Sequence, residues 1–360
     1  MKKTLIAMAA VAVAGVASAQ TITGEFGFGW ASDKAATTNN GAAVAGTKKA
    51  GLLQTDGSIS ISATEDLGGG MTLAGSTTVD IKGRSSVNAE NATLSVSGGF
   101  GTVVLGSVEF GNGILGLGGA GTAGRGLDNG TALDGGTNAD YLQFKTPALV
   151  EGLTAKITRG EVGPGAGDGP AQVTGVGVDF SAGALTVAAD TTSYSYPAAK
   201  AVTATSAICT GVTATNSGAV TTPAYGTACP TGTTMVAAAV KALTADEALA
   251  AQKDNRLRMS FSYDLGVAKV GYGYQKIGFK GEGKDNTQTV MGLNVPMGAM
   301  SVGLAMSTNQ TDGGVKTKGR DFSINYALSK RTSLNLSSMN VKKAGSDADT
   351  YTRLRLKTTF

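Results

Sequence analysis

Apolar residues recur at every second position of this chain, in segments of about ten residues from Thr21 onward. Ile59 and Ile61 are flanked by serines, and Phe322, Ile324 and Tyr326 alternate with small or polar residues. A period of two over this length predicts β-strands with one apolar and one polar face.

Turn signals between these segments predict sixteen strands. The approximate spans are 21–30, 54–64, 71–81, 92–98, 102–109, 140–146, 152–161, 172–181, 184–195, 256–264, 267–279, 286–295, 299–308, 319–328, 332–341 and 350–360. Short turns alternate with longer polar loops, which is typical of an outer-membrane barrel. We therefore expect an all-β fold, a 16-stranded antiparallel transmembrane β-barrel with an aqueous lumen. A soluble β-sandwich would not need polar side chains along one face of nearly every strand.

The first residues carry an export signal. Lys2 and Lys3 precede a short apolar run, and Ala17-Ser18-Ala19 forms a small-x-small cleavage site. Residues 1–19 are therefore predicted to be a cleaved signal peptide, and residues 20–360 a single barrel domain. Removal of the two lysines would reduce the 30 basic residues to 28, against 26 acidic residues. This near balance gives no indication of a nucleic-acid partner.

Composition excludes several kinds of chemistry. The 360 residues contain no histidine, which removes a Ser-His-Asp arrangement and a His-ligated zinc or haem. The two cysteines are too few for an all-cysteine metal site. We therefore predict no enzymatic activity and no cofactor, whereas a bound calcium ion stays open. The 54 glycines suit tight turns and flexible loops.

The last strand, 351–360, ends the chain on Phe360. Leu354 and Leu356 share its face, whereas Arg353 and Arg355 fall on the other face, where they should line water because lipid tolerates them poorly. A terminal phenylalanine on an alternating strand resembles the assembly signal of bacterial outer-membrane proteins.

Several segments together resemble the general porins of β-proteobacteria, within the Gram-negative porin family. They are ATEDLGGG at 63–70, GGFGTVVLG at 98–106, YLQFKTP at 141–147 and the terminal Phe360. The resemblance implies a sixteen-stranded barrel of the outer membrane, usually a homotrimer, whose third long loop folds inward to narrow the pore.

That third loop should span residues 110–138. Asp128 and Asp134 are its candidate constriction acids, with Glu109 at its edge. Acids on the loop opposite basic residues on the wall would create a transverse field that orients solutes and sets ion preference. The candidate wall residues are Lys82, Arg84, Lys145, Lys156, Arg256, Arg258, Arg353 and Arg355. Ser58, Ser62 and Ser107 stand where related porins usually carry arginines, which argues against inferring strong anion selectivity from the resemblance.

The longest loop, 197–255, is expected to be an extracellular cap. Residues 235–253 within it have a helical pattern. Cys209 and Cys229 are a candidate disulfide, because exported chains meet an oxidising compartment. Such a bridge would contribute on the order of 3 kcal/mol against loop unfolding.

The predicted function is passive diffusion of ions and small hydrophilic solutes through a water-filled outer-membrane channel. A channel specific for a sugar or a dicarboxylate is one alternative, and a structural or adhesive barrel is another. Expected partners are further copies of this chain, outer-membrane lipid and lipopolysaccharide, and the diffusing solutes. The preferred solute and the sign of ion selectivity stay open.

Overall fold

The alternating pattern forms a closed antiparallel barrel of sixteen strands. The computed structural model describes residues 19–34, 37–39, 42–44, 48–83, 87–110, 127, 133, 137–164, 170–196, 207–210, 234–237, 252–281 and 283–360. Neighbouring barrel strands follow the chain order, and the last strand pairs with the first. The prediction of an all-β, sixteen-stranded barrel is confirmed.

Twenty strands occur in the described residues. They are β1 Ala19–Lys34, β2 Thr37–Asn39, β3 Ala42–Val44, β4 Lys48–Gly68, β5 Met71–Asp80, β6 Asn88–Gly98, β7 Gly101–Phe110, β8 Thr137–Lys145, β9 Leu153–Pro164, β10 Pro170–Ala182, β11 Leu185–Ser195, β12 Ala207–Thr210, β13 Thr234–Ala237, β14 Lys253–Asp264, β15 Lys269–Phe279, β16 Asn286–Met297, β17 Met300–Thr311, β18 Lys316–Ala327, β19 Thr332–Lys343 and β20 Ala348–Thr359. The pairs β2–β3 and β12–β13 are separate two-stranded sheets, and the other sixteen strands form the barrel.

The two faces of the barrel differ in polarity. Large apolar side chains point outward and stay exposed, for example Phe28 and Leu356. Small, polar and charged side chains alternate with them and point inward, as Ser337 and Arg355 do. This arrangement is inside-out relative to a soluble protein and suits a barrel surrounded by lipid.

The two edges of the barrel differ in the length of their connections. Tight turns join β10 to β11 and β16 to β17, where Gly183 and Gly298 adopt φ values of 55° and 62° that favour glycine. The connections between β7 and β8 and between β11 and β14 lie at the other edge and are long. Because outer-membrane barrels have short periplasmic turns and longer external loops, we call these the periplasmic and extracellular edges.

The observed strands begin and end differently from the predicted spans. β1 and β4 extend to Lys34 and back to Lys48, well beyond the predicted 21–30 and 54–64. These extensions pair with each other, so hydrogen bonding between neighbours continues a strand after its alternation has faded.

The prediction of a helix over 235–253 is wrong where the structure describes this segment. Met235 lies in β13, opposite Cys209 of β12, and Lys253 already begins β14. Pairing with β12 satisfies the backbone groups that a helix would have bonded internally. Residues 238–251 and Cys229 lie outside the described residues, so the disulfide stays a prediction.

In the described part of the chain, no helix is long and apolar enough to cross a membrane.

Candidate pore lining

One row of inward-facing positions crosses five neighbouring strands. Lys145 of β8 lies opposite Lys156 of β9, which lies opposite Gly177 of β10. Gly177 lies opposite Asp190 of β11, and Asp190 lies opposite Arg258 of β14. Strand register therefore brings three predicted wall cations to one side of the lumen.

Asp179 balances the first two of these cations. Its carboxylate accepts hydrogen bonds from Lys156 Nζ at 3.0 and 3.2 Å, and Lys145 Nζ lies 3.8 Å away. A Cβ atom at Gly177 would lie 2.8 Å from both Lys156 Cε and Asp190 Cβ. Glycine at this position leaves space for Lys156 to lie against β10 and reach Asp179 on the same strand.

Arg258 is held by two charge-assisted hydrogen bonds. Its Nε donates to Asp190 Oδ1 at 2.9 Å, and its Nη2 donates to Asp190 Oδ2 at 2.7 Å. This bidentate geometry fixes the guanidinium against the wall. Arg256, one step toward the extracellular edge, is 4% exposed and donates from Nη2 to Thr192 Oγ1 at 3.4 Å.

A second charged group lies where the ends of the chain close the barrel. Arg355 of β20 forms an ion pair with Asp56 of β4, although β1 lies between them. Its Nε also donates to Asn335 Oδ1 of β19 at 3.2 Å. Gly27 and Gly29 occupy the inward positions of β1 that the arginine passes, and a Cβ atom at either would clash with the pair or the adjacent backbone.

Among the described residues Arg353 forms no ion pair, whereas Arg355 and Arg258 each pair with an aspartate. Its side chain is buried on the inner face, and its guanidinium carbon lies 5.9 Å from the centre of the Tyr351 ring. Among the described residues, no acceptor lies within hydrogen-bond distance of its Nε. Asp56 and Asp321 attract its positive charge from a longer distance, without a direct ion pair.

The two charged groups face each other across the lumen. β10, at the centre of the first group, lies halfway around the sixteen strands from β20. Polar side chains line the inner face between them, including the uncharged Gln275, Gln288 and Asn335 and the carboxylate of Asp321. Charged groups on opposite walls of a water-filled space act on any ion or dipole that passes between them.

Leu127 and Leu133 pack against the wall that lies opposite the strands β7 and β8. Both belong to the segment between β7 and β8, and both are fully buried in a cluster with Val290, Ala305, Met339 and Val341. Those four residues face inward from β16, β17 and β19, and β17 is directly across the barrel from β7. The amide of Leu133 donates to the carbonyl of Leu127 at 3.1 Å, which ties the two leucines into one contact.

The other predicted site residues lie in different places. Lys82 is exposed just beyond the end of β5, and its amide donates to Asp80 Oδ1. Glu109 pairs through its backbone with Asn138, and its side chain lies outside the described set. Arg84, Asp128 and Asp134 also lie outside it.

The three serines that replace expected arginines do not share one face. Ser58 and Ser62 point inward beside Asp80 and Ser76, whereas Ser107 points outward with Leu105. An arginine at position 107 would therefore not line this lumen.

Sequence reasoning missed the acidic partners on the wall. Asp56, Asp179 and Asp190 follow the same inward alternation as the basic residues, so the pattern could have identified their face. It could not have identified their partners, because these depend on strand register. Within the described residues, no three His, Cys, Asp or Glu side chains are grouped to hold a metal ion.

Comparison with known proteins agrees with this geometry. The sequence profile of the Gram-negative porin family matches residues 5–294 and 224–346. No curated protein sequence matches the chain.

Solved porin structures share its fold. The anion-selective porin from Comamonas acidovorans is 20% identical with a TM-score of 0.63, and the match covers 95% of this chain and all of that one. The trimer form of OmpT from Vibrio cholerae is 12% identical, and a mutant porin from Rh. blastica is 14% identical, with TM-scores of 0.58 and 0.54. Each of these two matches covers 95% of this chain and all of the other chain.

Proposed function

This chain belongs to the Gram-negative porin family, and we propose that it is a general diffusion channel with a modest preference for anions. Family membership makes it a multi-pass outer-membrane protein that forms a channel for passive diffusion. The observation that carries the finer proposal is the charge balance of the inner wall, where most cations form ion pairs and Arg353 forms none with the described residues.

Paired charges argue against strong ion selectivity. A carboxylate next to each of Lys156, Arg258 and Arg355 reduces the net field that a passing ion meets. Lys145 and Lys156 share the carboxylate of Asp179, and among the described residues Arg353 forms no ion pair, which leaves a small excess of positive charge that favours anions. No covalent chemistry is assigned to the lumen.

The segment between β7 and β8 is proposed to fold into the lumen and narrow it. Support comes from Leu127 and Leu133, whose contacts on β16, β17 and β19 lie across the barrel from the strands that the segment joins. The charged groups on both sides would then border the narrowest passage. Asp128 and Asp134 are proposed as acids of this constriction.

Assembly as a homotrimer is proposed from family membership. Such trimers carry one channel in each barrel. The conductance of one inserted trimer should therefore equal three equal single-barrel steps.

The reversal potential in a salt gradient tests the proposed selectivity. We expect a small potential of the sign that indicates anion preference, because the excess wall charge is positive. Replacing Arg353 with serine should move the potential toward zero, because it removes a cation that forms no ion pair with the described residues. Lys34→Ser is the matched control, since that lysine is half-exposed and paired with Asp347 at 3.6 Å.

A strongly cation-selective channel would overturn the proposed charge balance. Saturating conductance that one sugar or one dicarboxylate blocks would instead support a solute-specific channel. An unchanged potential in Arg353→Ser would show that this arginine lies away from the narrowest passage.

A further inference from the structure

Four cations form a cluster on the outer surface near the extracellular edge. Lys316, Lys318 and Arg320 occupy successive outward positions of β18, and Lys342 occupies an outward position of β19. All four side chains belong to exposed residues. We call them the outer cation patch.

The patch contains like charges placed directly against each other. Lys318 and Lys342 are cross-strand partners. Arg320 is the next outward residue of β18 after Lys318, toward the periplasmic edge. Like charges at directly opposite positions destabilise a sheet. An anion bound between them would remove this repulsion.

Among the described residues, the outward strand positions around the patch supply no carboxylate. The outward positions of β17, β18, β19 and β20 carry no aspartate or glutamate, and all four of these strands are described. Asp321 points inward, and Asp347 in the turn after β19 pairs with Lys34 at 3.6 Å. Among the described residues, no carboxylate forms an ion pair with any member of the patch.

Outward apolar side chains on β18 and β19, here called the apolar belt, show which part of the membrane surrounds the patch. Phe322 and Tyr326 on β18 and Leu334 and Leu336 on β19 point outward on the periplasmic side of the patch. The patch therefore lies where the apolar belt ends toward the extracellular edge. Anionic headgroups of outer-leaflet lipid occupy this depth, and long Lys and Arg side chains reach them from the edge of the apolar layer.

We propose that the outer cation patch binds the phosphate groups of an outer-leaflet glycolipid. The acyl chains of the lipid would lie on the apolar belt of β18 and β19, and its phosphates would contact Lys318, Arg320 and Lys342. Arginine and lysine are the side chains best suited to phosphate oxygens.

A lysine at a comparable position provides a matched control. Lys276 points outward from the extracellular half of β15, but its Nζ lies 2.9 Å from Asp285 Oδ2. Because its charge is already balanced, its loss should change lipid binding little.

The test measures the affinity of the full-length folded protein in detergent for bis-phosphorylated lipid A by native mass spectrometry. The triple variant Lys318→Ser, Arg320→Ser, Lys342→Ser should bind roughly a hundredfold more weakly, because each cation near an anionic lipid surface contributes about fivefold. Lys276→Ser should bind like the wild type. Dephosphorylated lipid A should bind the wild type and the triple variant equally weakly.

Three results would overturn the proposal. They are unchanged affinity in the triple variant, an equal loss in Lys276→Ser, and equal wild-type binding of both lipid forms. Displacement of the lipid by millimolar inorganic phosphate would also contradict it, since that result indicates a site for free anions. If the triple variant does not fold, Lys342→Ser alone should lower affinity about fivefold, and no change would contradict the proposal.

Discussion

Two long cations of the wall reach their partners by passing over glycine positions of a neighbouring strand. Lys156 passes Gly177, and Arg355 passes Gly27 and Gly29. The glycines in these strands therefore have a packing role that is separate from turn formation. Each one lets a charged side chain lie flat on the wall, where its partner neutralises it.

Replacing Gly29 with valine should lower the free energy of unfolding by about 1–3 kcal/mol, because the new side chain overlaps the backbone of β20. Thermal unfolding in detergent, followed by circular dichroism, measures the change. Gly51→Val is the matched control, since a Cβ atom there meets nothing within 4 Å. Equal destabilisation by both substitutions would contradict the packing role.

Breaking the ion pair of Arg355 should be costly. Arg355→Met leaves the partly buried Asp56 without its cation, so the loss should approach the roughly 3 kcal/mol at the lower end of the range for a fully buried pair. The double variant with Asp56→Asn should regain much of that loss, because the uncompensated charge is gone. The unfolding midpoints of the three proteins provide the test.

The exposed ion pair of Lys34 and Asp347 is the control for the loss of stability in Arg355→Met. Lys34→Met should cost less than about 1 kcal/mol, because solvent screens an exposed ion pair. A loss in Arg355→Met no larger than this would show that the pair near the closing strands contributes little.

At the scale of elements, the first and last strands are held together at the periplasmic edge by the final residue. Phe360 stacks on Phe26 with ring centres 5.6 Å apart, and its backbone exchanges two hydrogen bonds with Gly24. On the inner face, Lys357 Nζ lies 2.6 Å from Glu25 Oε2. The end of β20 thus contributes to closure of the barrel as well as carrying the predicted assembly signal.

Deletion of Phe360 should lower stability by about 2 kcal/mol, from one aromatic pair and two backbone hydrogen bonds. The fraction of refolded protein that keeps its folded mobility on an unheated gel measures the effect. Phe28→Ala is the control, since that ring is 60% exposed on the outer face. Equal folding of the deletion variant and the wild type would contradict a role for Phe360 in closure.

The segment between β7 and β8 should be released from the opposite wall by the double change Leu127→Asp and Leu133→Asp. Two carboxylates cannot remain in the fully buried apolar cluster, whereas the strands of the barrel are untouched. Single-channel conductance should therefore rise. The volume-conserving variant Leu127→Met should conduct like the wild type. Unchanged conductance in the double variant would argue against a constriction by this segment.

At the scale of the whole molecule, the barrel was predictable because its signal is repeated in every strand. Each segment carries the same alternation, so sixteen strands and the polarity of both faces could be predicted without knowledge of contacts. The inward position of Arg353 and Arg355 follows from the same local rule. Family resemblance implied the same sixteen-stranded barrel and added the expected homotrimer and the inward fold of the third long loop.

Other features could not be predicted, because they depend on register and on neighbours across the sheet. Nothing local shows that Arg355 pairs with Asp56, nearly three hundred residues earlier in the chain. The helical pattern was misleading at the described start of 235–253, since pairing with β12 places Met235 in a strand. The outward position of Ser107 follows from its alternation with Leu105, a local signal that the resemblance to arginine positions overrode.

The central claim is that this barrel forms an open, water-filled passage across the outer membrane. Recording single channels of the refolded full-length protein in a planar lipid bilayer tests it most directly. We predict stepwise conductance that is ohmic and increases in proportion to salt concentration without saturating. Absence of conductance steps from protein that is demonstrably folded and inserted would contradict this account of the molecule.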